Sequence, residues 1–268
     1  MRLFDTAVAG IRVLVAPNAG PSTDDGTNTY LVSEPDGVTV IDAGPAMDEH
    51  VAAIVIAAGA PIRRILTTHG HRDHAGAARA LSAKTRAPVY AYREPLLAEF
   101  TPDIGLDDGD RVGGLTAVFT PGHARDHLCF SWGGKVLFSG DTVLDWASSL
   151  VSPPNGVMAD YMASLERLQA RTEQIYLPGH GRAVTDPPAR LADLLARRRH
   201  RETSIVQRLA AGAATLDELT AQFYGRKAAL LQAGRGLLHA HLLKLKADGR
   251  ADLGADGRWS LLRNAERR

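Results

Sequence analysis

The stretch from Thr67 to His74 constrains this chain more than any other, because it places three histidines and one aspartate within six residues. The segment before it, Ile62 to Leu66, predicts a buried strand, and the small residues that follow, 75–81, predict a helix. The cluster is therefore expected at the end of a strand. Binding sites of α/β proteins gather at such strand ends.

The four side chains of this cluster suit a metal centre. Neutral imidazole and carboxylate are standard ligands of zinc and similar divalent metals. His69 and His71 are two residues apart, so an extended backbone points both side chains to the same side. Asp73 and His74 follow on the turn into the helix, and two pairs of ligands on one loop indicate two metal ions. Histidines are sparse elsewhere in the chain, which argues against a chance cluster.

Further titratable residues follow other predicted strands. His123 closes the motif Thr-Pro-Gly-His, Asp141 closes Ser-Gly-Asp, and His180 closes Pro-Gly-His. A carboxylate has two oxygens and can bridge two cations, whose charge it partly offsets. Asp141 is therefore interpreted as a bridging ligand, with a helix N-cap as the alternative. The strand end at Asp42 is expected near the same site, with a helix-entry turn as an equal alternative.

This pattern resembles the signature of the metallo-β-lactamase superfamily of metallohydrolases. The resemblance implies an α/β fold, namely an αββα four-layer sandwich with mixed sheets. It also implies two divalent metal ions, and zinc is the expected metal. The implied ligands, in chain order, are His69, His71, Asp73, His74, His123, Asp141 and His180. His127 has no place among them and is expected to pack beside the site.

The resemblance also implies how the ligands divide and what they do. The ligands of one ion are His69, His71 and His123. The ligands of the other ion are Asp73, His74 and His180, and Asp141 lies between the ions. Two ions about 3.5–4 Å apart hold a water as hydroxide near neutral pH, and this metal-bound hydroxide attacks a carbonyl carbon or a phosphorus. Asp73, which orients the hydroxide, and Asp141 are the expected catalytic residues.

The segment 189–268 differs in charge from the rest of the chain. Residues 1–188 contain 15 Lys and Arg against 22 Asp and Glu, whereas 189–268 contain 16 against 8. Such a split indicates two domains with different roles. A long helix from Ala189, a helix that begins at Thr215, a third helix and a two-stranded ribbon resemble a winged-helix module. The predicted domains are a catalytic domain, 1–188, and a linking helix with a winged-helix domain, 189–268.

This layout resembles the β-lactamase-like protein 2 group, whose animal members are endoribonucleases that act on single-stranded RNA. The segments 18–21 (Asn-Ala-Gly-Pro) and 26–31 (Gly-Thr-Asn-Thr-Tyr-Leu) add to the resemblance. It implies a hydrolase that cleaves RNA phosphodiesters, and the basic C-terminal region would then bind the phosphate backbone.

Other functions stay open. The alternative substrate is a small acyl compound, either a thioester of the hydroxyacylglutathione type or a lactone, and the acidic catalytic domain favours it. A non-catalytic nucleic-acid-binding protein is a third possibility, against which the complete ligand set argues. A true β-lactamase would commonly use a cysteine in the second metal site, and Cys129 is not at that position.

Composition bears on the compartment. The single cysteine excludes an internal disulfide framework and indicates a reducing cytoplasm. The first residues, 1–5, lack the apolar core of a signal peptide. No window approaches the ~20 apolar residues of a membrane helix. A cytoplasmic protein with no membrane partner is therefore expected, and the family resemblance adds a homodimer as an expectation.

Overall fold

The apolar segments of the first part of the chain build a seven-stranded sheet. The structure, a computed structural model, describes residues 2–97, 99–225 and 228–262. The strands lie in chain order across this sheet: β1 (Arg2–Asp5), β2 (Ile11–Val15), β3 (Asn28–Glu34), β4 (Gly37–Ile41), β5 (Ile62–Leu66), β6 (Val89–Tyr92) and β7 (Ile104–Leu106). Strands β1 to β4 pair antiparallel and β4 to β7 pair parallel, so the sheet is mixed.

Three helices connect the parallel strands of this sheet: α1 (Asp48–Ala58), α2 (Arg72–Ala75) and α3 (Ala78–Thr85). Helix α1 ends at Gly59, whose φ of 64° lies in the left-handed region that glycine adopts without strain. Buried side chains of the helices and the sheet, among them Val40, Ile54, Ile65 and Leu81, form one apolar core. This core places a helical layer against one face of the sheet.

A second sheet has five strands in the order β12-β11-β10-β9-β8: β8 (Arg111–Val112), β9 (Leu115–Phe119), β10 (Leu128–Trp132), β11 (Val136–Gly140) and β12 (Ile175–Pro178). Only its β11–β12 pair is parallel among the described residues. The sheets share an apolar core, in which the Tyr30 and Phe138 rings meet edge to face with their centroids 5.2 Å apart. The layered α/β sandwich with mixed sheets that the sequence predicts is confirmed.

The remaining elements are helices and a small sheet: α4 (Met158–Gln169), α5 (Pro187–Ala210), β13 (Ala214–Thr215), α6 (Leu216–Tyr224), α7 (Ala228–Ala247), β14 (Ala251–Leu253) and β15 (Arg258–Leu261). Thr215 begins α6 as predicted. Its hydroxyl accepts from the Glu218 N–H (3.1 Å), and Glu218 Oε2 accepts from the Thr215 N–H (2.8 Å). This reciprocal capping satisfies two donors at the helix start.

These elements belong to two compact units. The first comprises Met1–Thr120, Asp126–Ser149 and Ala170–Arg190, and the second comprises Pro121–Arg125, Leu150–Gln169 and Leu191–Arg268. The chain therefore passes from one unit to the other several times. The division into domains 1–188 and 189–268, and the winged-helix identity of the second, stay predictions. No helix in the described part of the chain is both long and apolar enough to cross a membrane.

Candidate metal centre

Six of the seven predicted ligands come together in the first unit, just beyond strands β5, β11 and β12. One ligand atom from each of His69, His74 and Asp141 lies within 4.8 Å of the others, and the same holds for Asp73, His74 and His180. His71 joins them through its Nδ1, which is 2.9 Å from His69 Nε2. The ends of these three strands thus bring six of the predicted ligands together, and their roles as ligands stay predictions.

His123, the seventh predicted ligand, belongs to the second unit. Within that unit its Nδ1 donates to the Leu150 carbonyl oxygen at 2.7 Å. Gly122 precedes it with a φ of 134°, and a Cβ atom there would come within 2.2 Å of the Tyr161 backbone. Only glycine therefore fits before this histidine, whose role as a ligand stays a prediction.

Asp42, at the end of β4, fixes which ring nitrogen carries a proton in two histidines. Its Oδ2 accepts from the Thr68 hydroxyl at 2.8 Å, so that hydroxyl in turn accepts from His69 Nδ1 at 3.0 Å. The same carboxylate oxygen accepts from His74 Nδ1 at 2.8 Å. Because both Nδ1 atoms are engaged in this way, the Nε2 atom of each imidazole is the ring nitrogen left to bind a cation. Such carboxylate support is typical of metal-binding histidines.

His180 completes the arrangement from the end of β12. Its Nδ1 donates to the Gly26 carbonyl oxygen at 3.2 Å, and its Nε2 lies 3.2 Å from His74 Nε2. Two facing nitrogen lone pairs at this distance repel each other unless a proton or a cation relieves the repulsion. A donor set of imidazole nitrogens and carboxylate oxygens therefore fits divalent metal ions.

Carboxylates around these imidazoles favour a positive charge. Asp73 Oδ2 lies 3.3 Å from His180 Nε2, and Asp141 Oδ1 lies 3.5 Å from His74 Nε2. Burial lowers the pKa of His74, but the carboxylates of Asp141, Asp42 and Asp73 outweigh it and hold that pKa well above its usual value. Burial raises the pKa of Asp73, but His74 and His180 outweigh it and lower that pKa to about 2. The site thus stabilises cations.

His127, which is fully buried, holds the backbone of Asp141. The Asp141 N–H donates to His127 Nε2 at 3.1 Å, so the proton of this imidazole is on Nδ1, which lies 2.9 Å from Thr120 Oγ1. Gly140 makes room for the contact, because a Cβ atom there would lie 2.5 Å from His127 Nε2. His127 therefore supports the cluster through Asp141.

Asp126 is a supporting residue that is not among those predicted from the sequence. Its Oδ2 accepts from the Gly70 N–H at 3.0 Å and from the Leu96 N–H at 2.8 Å. It therefore fixes the backbone between His69 and His71. In the sequence, Asp126 stands out only because it lies beside His127, directly before an apolar strand. That position does not reveal which loop its carboxylate holds.

Cys129 is buried in β10 and takes no part in the histidine and aspartate groups described above. Its Sγ lies 3.2 Å from Thr120 Oγ1. Burial raises the pKa of this thiol to about 12, so it stays protonated at neutral pH.

Comparison with known proteins gives the family. The model of the metallo-beta-lactamase superfamily matches residues 22–180. The chain is 34% identical over 229 residues to the lactamase-like protein adaB of Aspergillus niger, which covers 81% of this chain and 68% of that protein. It is 30% identical over 278 residues to the atrochrysone carboxyl ACP thioesterase of Aspergillus chevalieri, which covers 95% of this chain and 87% of that protein.

Solved structures agree on the fold. A beta-lactamase domain protein from Burkholderia ambifaria has a TM-score of 0.83 at 24% identity, over 97% of this chain and 93% of that one. A metallo-beta-lactamase family protein from Thermus thermophilus has a TM-score of 0.80 at 23% identity, over 96% of this chain and 100% of that one. None of these four relatives is named as an endoribonuclease. The chain belongs to the metallo-β-lactamase superfamily and is a hydrolase of that fold.

Proposed function

We propose that this hydrolase is a binuclear metal-dependent thioesterase that cleaves acyl thioesters. The observation that carries this proposal is the similarity, over 95% of the chain, to a protein named as an ACP thioesterase. The small acyl substrate that stood as the alternative in the sequence analysis thereby replaces RNA as the favoured substrate. The site supports the same chemistry, because hydrolysis of a thioester needs an activated water and a stabilised oxyanion.

The proposed ligands divide as the family resemblance implies. His69 and His71 are proposed to hold one ion, with His123 as its predicted third histidine. The other ion is proposed to take Asp73, His74 and His180, and Asp141 serves both. When bound, the divalent metal ions supply Lewis-acid activation of the water and of the thioester carbonyl.

The chain's own residues orient these groups. Asp42 keeps a proton on His74 Nδ1 and, through the Thr68 hydroxyl, on His69 Nδ1, so that the Nε2 atom of each imidazole is the one available to a metal ion. His127 fixes Asp141 through its backbone N–H. Asp73 is ionised at neutral pH because of its lowered pKa, and we assign its Oδ2 the role of orienting the attacking water.

RNA cleavage has less support. Arg197 forms an ion pair with Asp193 at 2.8 Å, and Arg199 forms one with Glu166 at 2.8 Å. The Arg201 guanidinium lies 5.2 Å from the centroid of the Phe223 ring. Arginines of the basic run on α5 are thus engaged within the second unit, and fewer charges are left for a phosphate backbone.

The test is a paired assay on the zinc-loaded protein. One arm measures thiol release from an acyl N-acetylcysteamine thioester, and the other measures cleavage of a labelled single-stranded RNA. We expect thiol release that a chelator abolishes and added zinc restores, with no RNA cleavage. Metal-dependent RNA cleavage without thiol release would contradict the proposal and would favour the endoribonuclease function instead.

His127→Phe is expected to lower thioester hydrolysis by about 10- to 100-fold, the usual cost of losing a partner that orients a metal ligand. The phenyl ring fills the space but cannot accept from the Asp141 N–H. His127→Gln, whose side-chain oxygen is an acceptor, should recover part of the rate. Metal content and kcat are measured together on both variants. If His127→Phe kept the metal content and the kcat of the wild type, the imidazole would have no positioning role.

A further inference from the structure

One face of the first sheet carries two rows of side chains that are buried at β3 but open at β1. The register of β1, β2 and β3 aligns cross-strand partners on this face. The rows are Arg2, Val15 and Asn28, and Phe4, Val13 and Tyr30. Tyr30 packs on Phe138, so the face is the one directed toward the second sheet. At β1, however, it is open, because Phe4 is 47% exposed.

A cleft of about 400 Å³ lies over these two rows. Its opposite wall consists of Leu177 from β12 and the segment 181–183, which directly follows His180. The volume lies in the range of small-molecule sites. All of these residues belong to the first unit, which also holds the six clustered ligands.

The cleft shares a wall with the proposed metal centre. Gly26 lines the cleft, and its carbonyl oxygen is the acceptor for His180 Nδ1 at 3.2 Å. The imidazole ring of His180 therefore has one nitrogen against this backbone wall and the other facing His74. A substrate whose carbonyl lies at the metal ions would have its next atoms within reach of the cleft.

The interior of the cleft is suited to apolar groups. The Tyr30 hydroxyl already donates to the Pro178 carbonyl oxygen at 2.7 Å. The Asn28 side-chain amide donates to the carbonyl oxygens of Pro178 and Gly181, both at 3.0 Å. Because these polar atoms are satisfied, the interior offers a ligand the apolar surface of Phe4, Leu177 and the valines of β2.

The charges of the rim cancel. Two arginines, Arg2 and Arg182, and two aspartates, Asp24 and Asp25, line the cleft, and Arg2 pairs with Asp25 at 2.6 Å. With no net formal charge, this rim gives no Coulombic preference for an anionic or a cationic ligand. An uncharged group is therefore favoured, because it has no charge whose hydration would be lost when the group enters the cleft.

We propose that this cleft binds the uncharged acyl group of the thioester substrate, a proposal that rests on the thioesterase function proposed above. The acyl chain enters past Gly26 and Gly181 and packs on Phe4 and Val13. The enzyme should therefore prefer a medium neutral acyl group, such as octanoyl, over acetyl and over a chain that ends in a carboxylate.

The test compares three variants of the full chain. Phe4→Ala removes the exposed wall of the cleft, and Val13→Trp fills it. Leu3→Ala is the matched control, because Leu3 is 45% exposed on the same strand but points to the opposite face. The readout is the ratio of kcat/KM for octanoyl to that for acetyl N-acetylcysteamine, with adipoyl as the charged comparison.

We expect Phe4→Ala to lower the octanoyl-to-acetyl ratio about tenfold, since each buried methylene is worth about fourfold. Val13→Trp should lower it at least as much, and Leu3→Ala should keep the wild-type ratio. Thioester hydrolysis with a ratio that neither cleft variant changes would overturn the acyl cleft while leaving the thioesterase function intact. Faster hydrolysis of adipoyl than of octanoyl would also overturn it.

A binding measurement separates the two proposals. Octanamide, which is neutral and lacks the thioester, is titrated into the protein by calorimetry. The cleft is supported if the wild-type protein binds octanamide and if Val13→Trp and Phe4→Ala weaken this binding while Leu3→Ala does not. This result would support the cleft even if no thioester were hydrolysed, and in that case the thioesterase function alone would fail. Absence of binding to the wild-type protein would overturn the cleft.

Discussion

Asp141→Ala is expected to lower thioester hydrolysis by on the order of a thousandfold, because the change removes both an electrostatic partner and the proposed bridge between the metal ions. The Asp141 Oδ1 atom lies 3.5 Å from the Nε2 atoms of His74 and His180. Without this carboxylate, less negative charge remains to offset two divalent ions, and the metal content should fall below two ions per chain.

Two further variants make this result specific. Asp141→Asn keeps the size of the side chain but not its charge, and it should lose nearly as much activity as alanine. Asp110→Ala alters a carboxylate of an exposed turn on the same unit, and it should behave like the wild type. Thiol release, metal content by mass spectrometry and far-ultraviolet circular dichroism are measured for each. A folded Asp141→Ala protein with two ions and full activity would contradict the ligand assignment.

Gly179→Ala is expected to impair the site without removing any ligand. A Cβ atom at this position would lie 2.6 Å from His74 Cε1 and 2.7 Å from Asp141 Oδ1, which is closer than such atoms approach. The backbone cannot easily retreat, because the Gly179 N–H donates to the Gly140 carbonyl oxygen at 2.9 Å and its own carbonyl accepts from the Asn28 N–H at 2.7 Å. The side chains of His74 and Asp141, both proposed ligands, must move instead.

A displacement of about 1 Å in a catalytic group can cost on the order of a hundredfold in rate, and we expect at least that loss in Gly179→Ala. Zinc affinity, measured by competition with a chromophoric chelator, should fall in parallel. Gly20→Ala is the matched control, because the nearest atom to its added Cβ would be Thr23 Oγ1 at an ordinary 3.4 Å. If Gly179→Ala bound zinc and turned over thioester like Gly20→Ala, the crowding argument would be wrong.

The convergence of six predicted ligands follows from the sequence because its signals are local. His69 to His74 lie on one turn, and Asp141 and His180 each follow a strand whose apolar pattern is visible in the sequence. The sequence pattern also predicted the layered sheets and the start of α6 at Thr215, both of which are confirmed.

The supporting contacts were less predictable because they join distant segments. Asp42 and His74 are 32 residues apart, and nothing local to either one fixes which carboxylate oxygen meets which nitrogen. Asp126 likewise holds Gly70 across 56 residues. The arginines of α5 are a further example of contacts that the sequence does not predict. The charge count of 189–268 does not reveal that Arg199 has Glu166 as its ion-pair partner.

The interleaving of the two units bears on how such a chain can be shortened or recombined. Helix α4, from the middle of the sequence, packs against α7 near its end within the second unit. Ending the chain near residue 190 would therefore leave α4 with an uncovered side, and grafting 191–268 onto another protein would leave α7 without its partner. The segments 121–125, 150–169 and 191–268 form one compact unit, and we expect their sequences to change together.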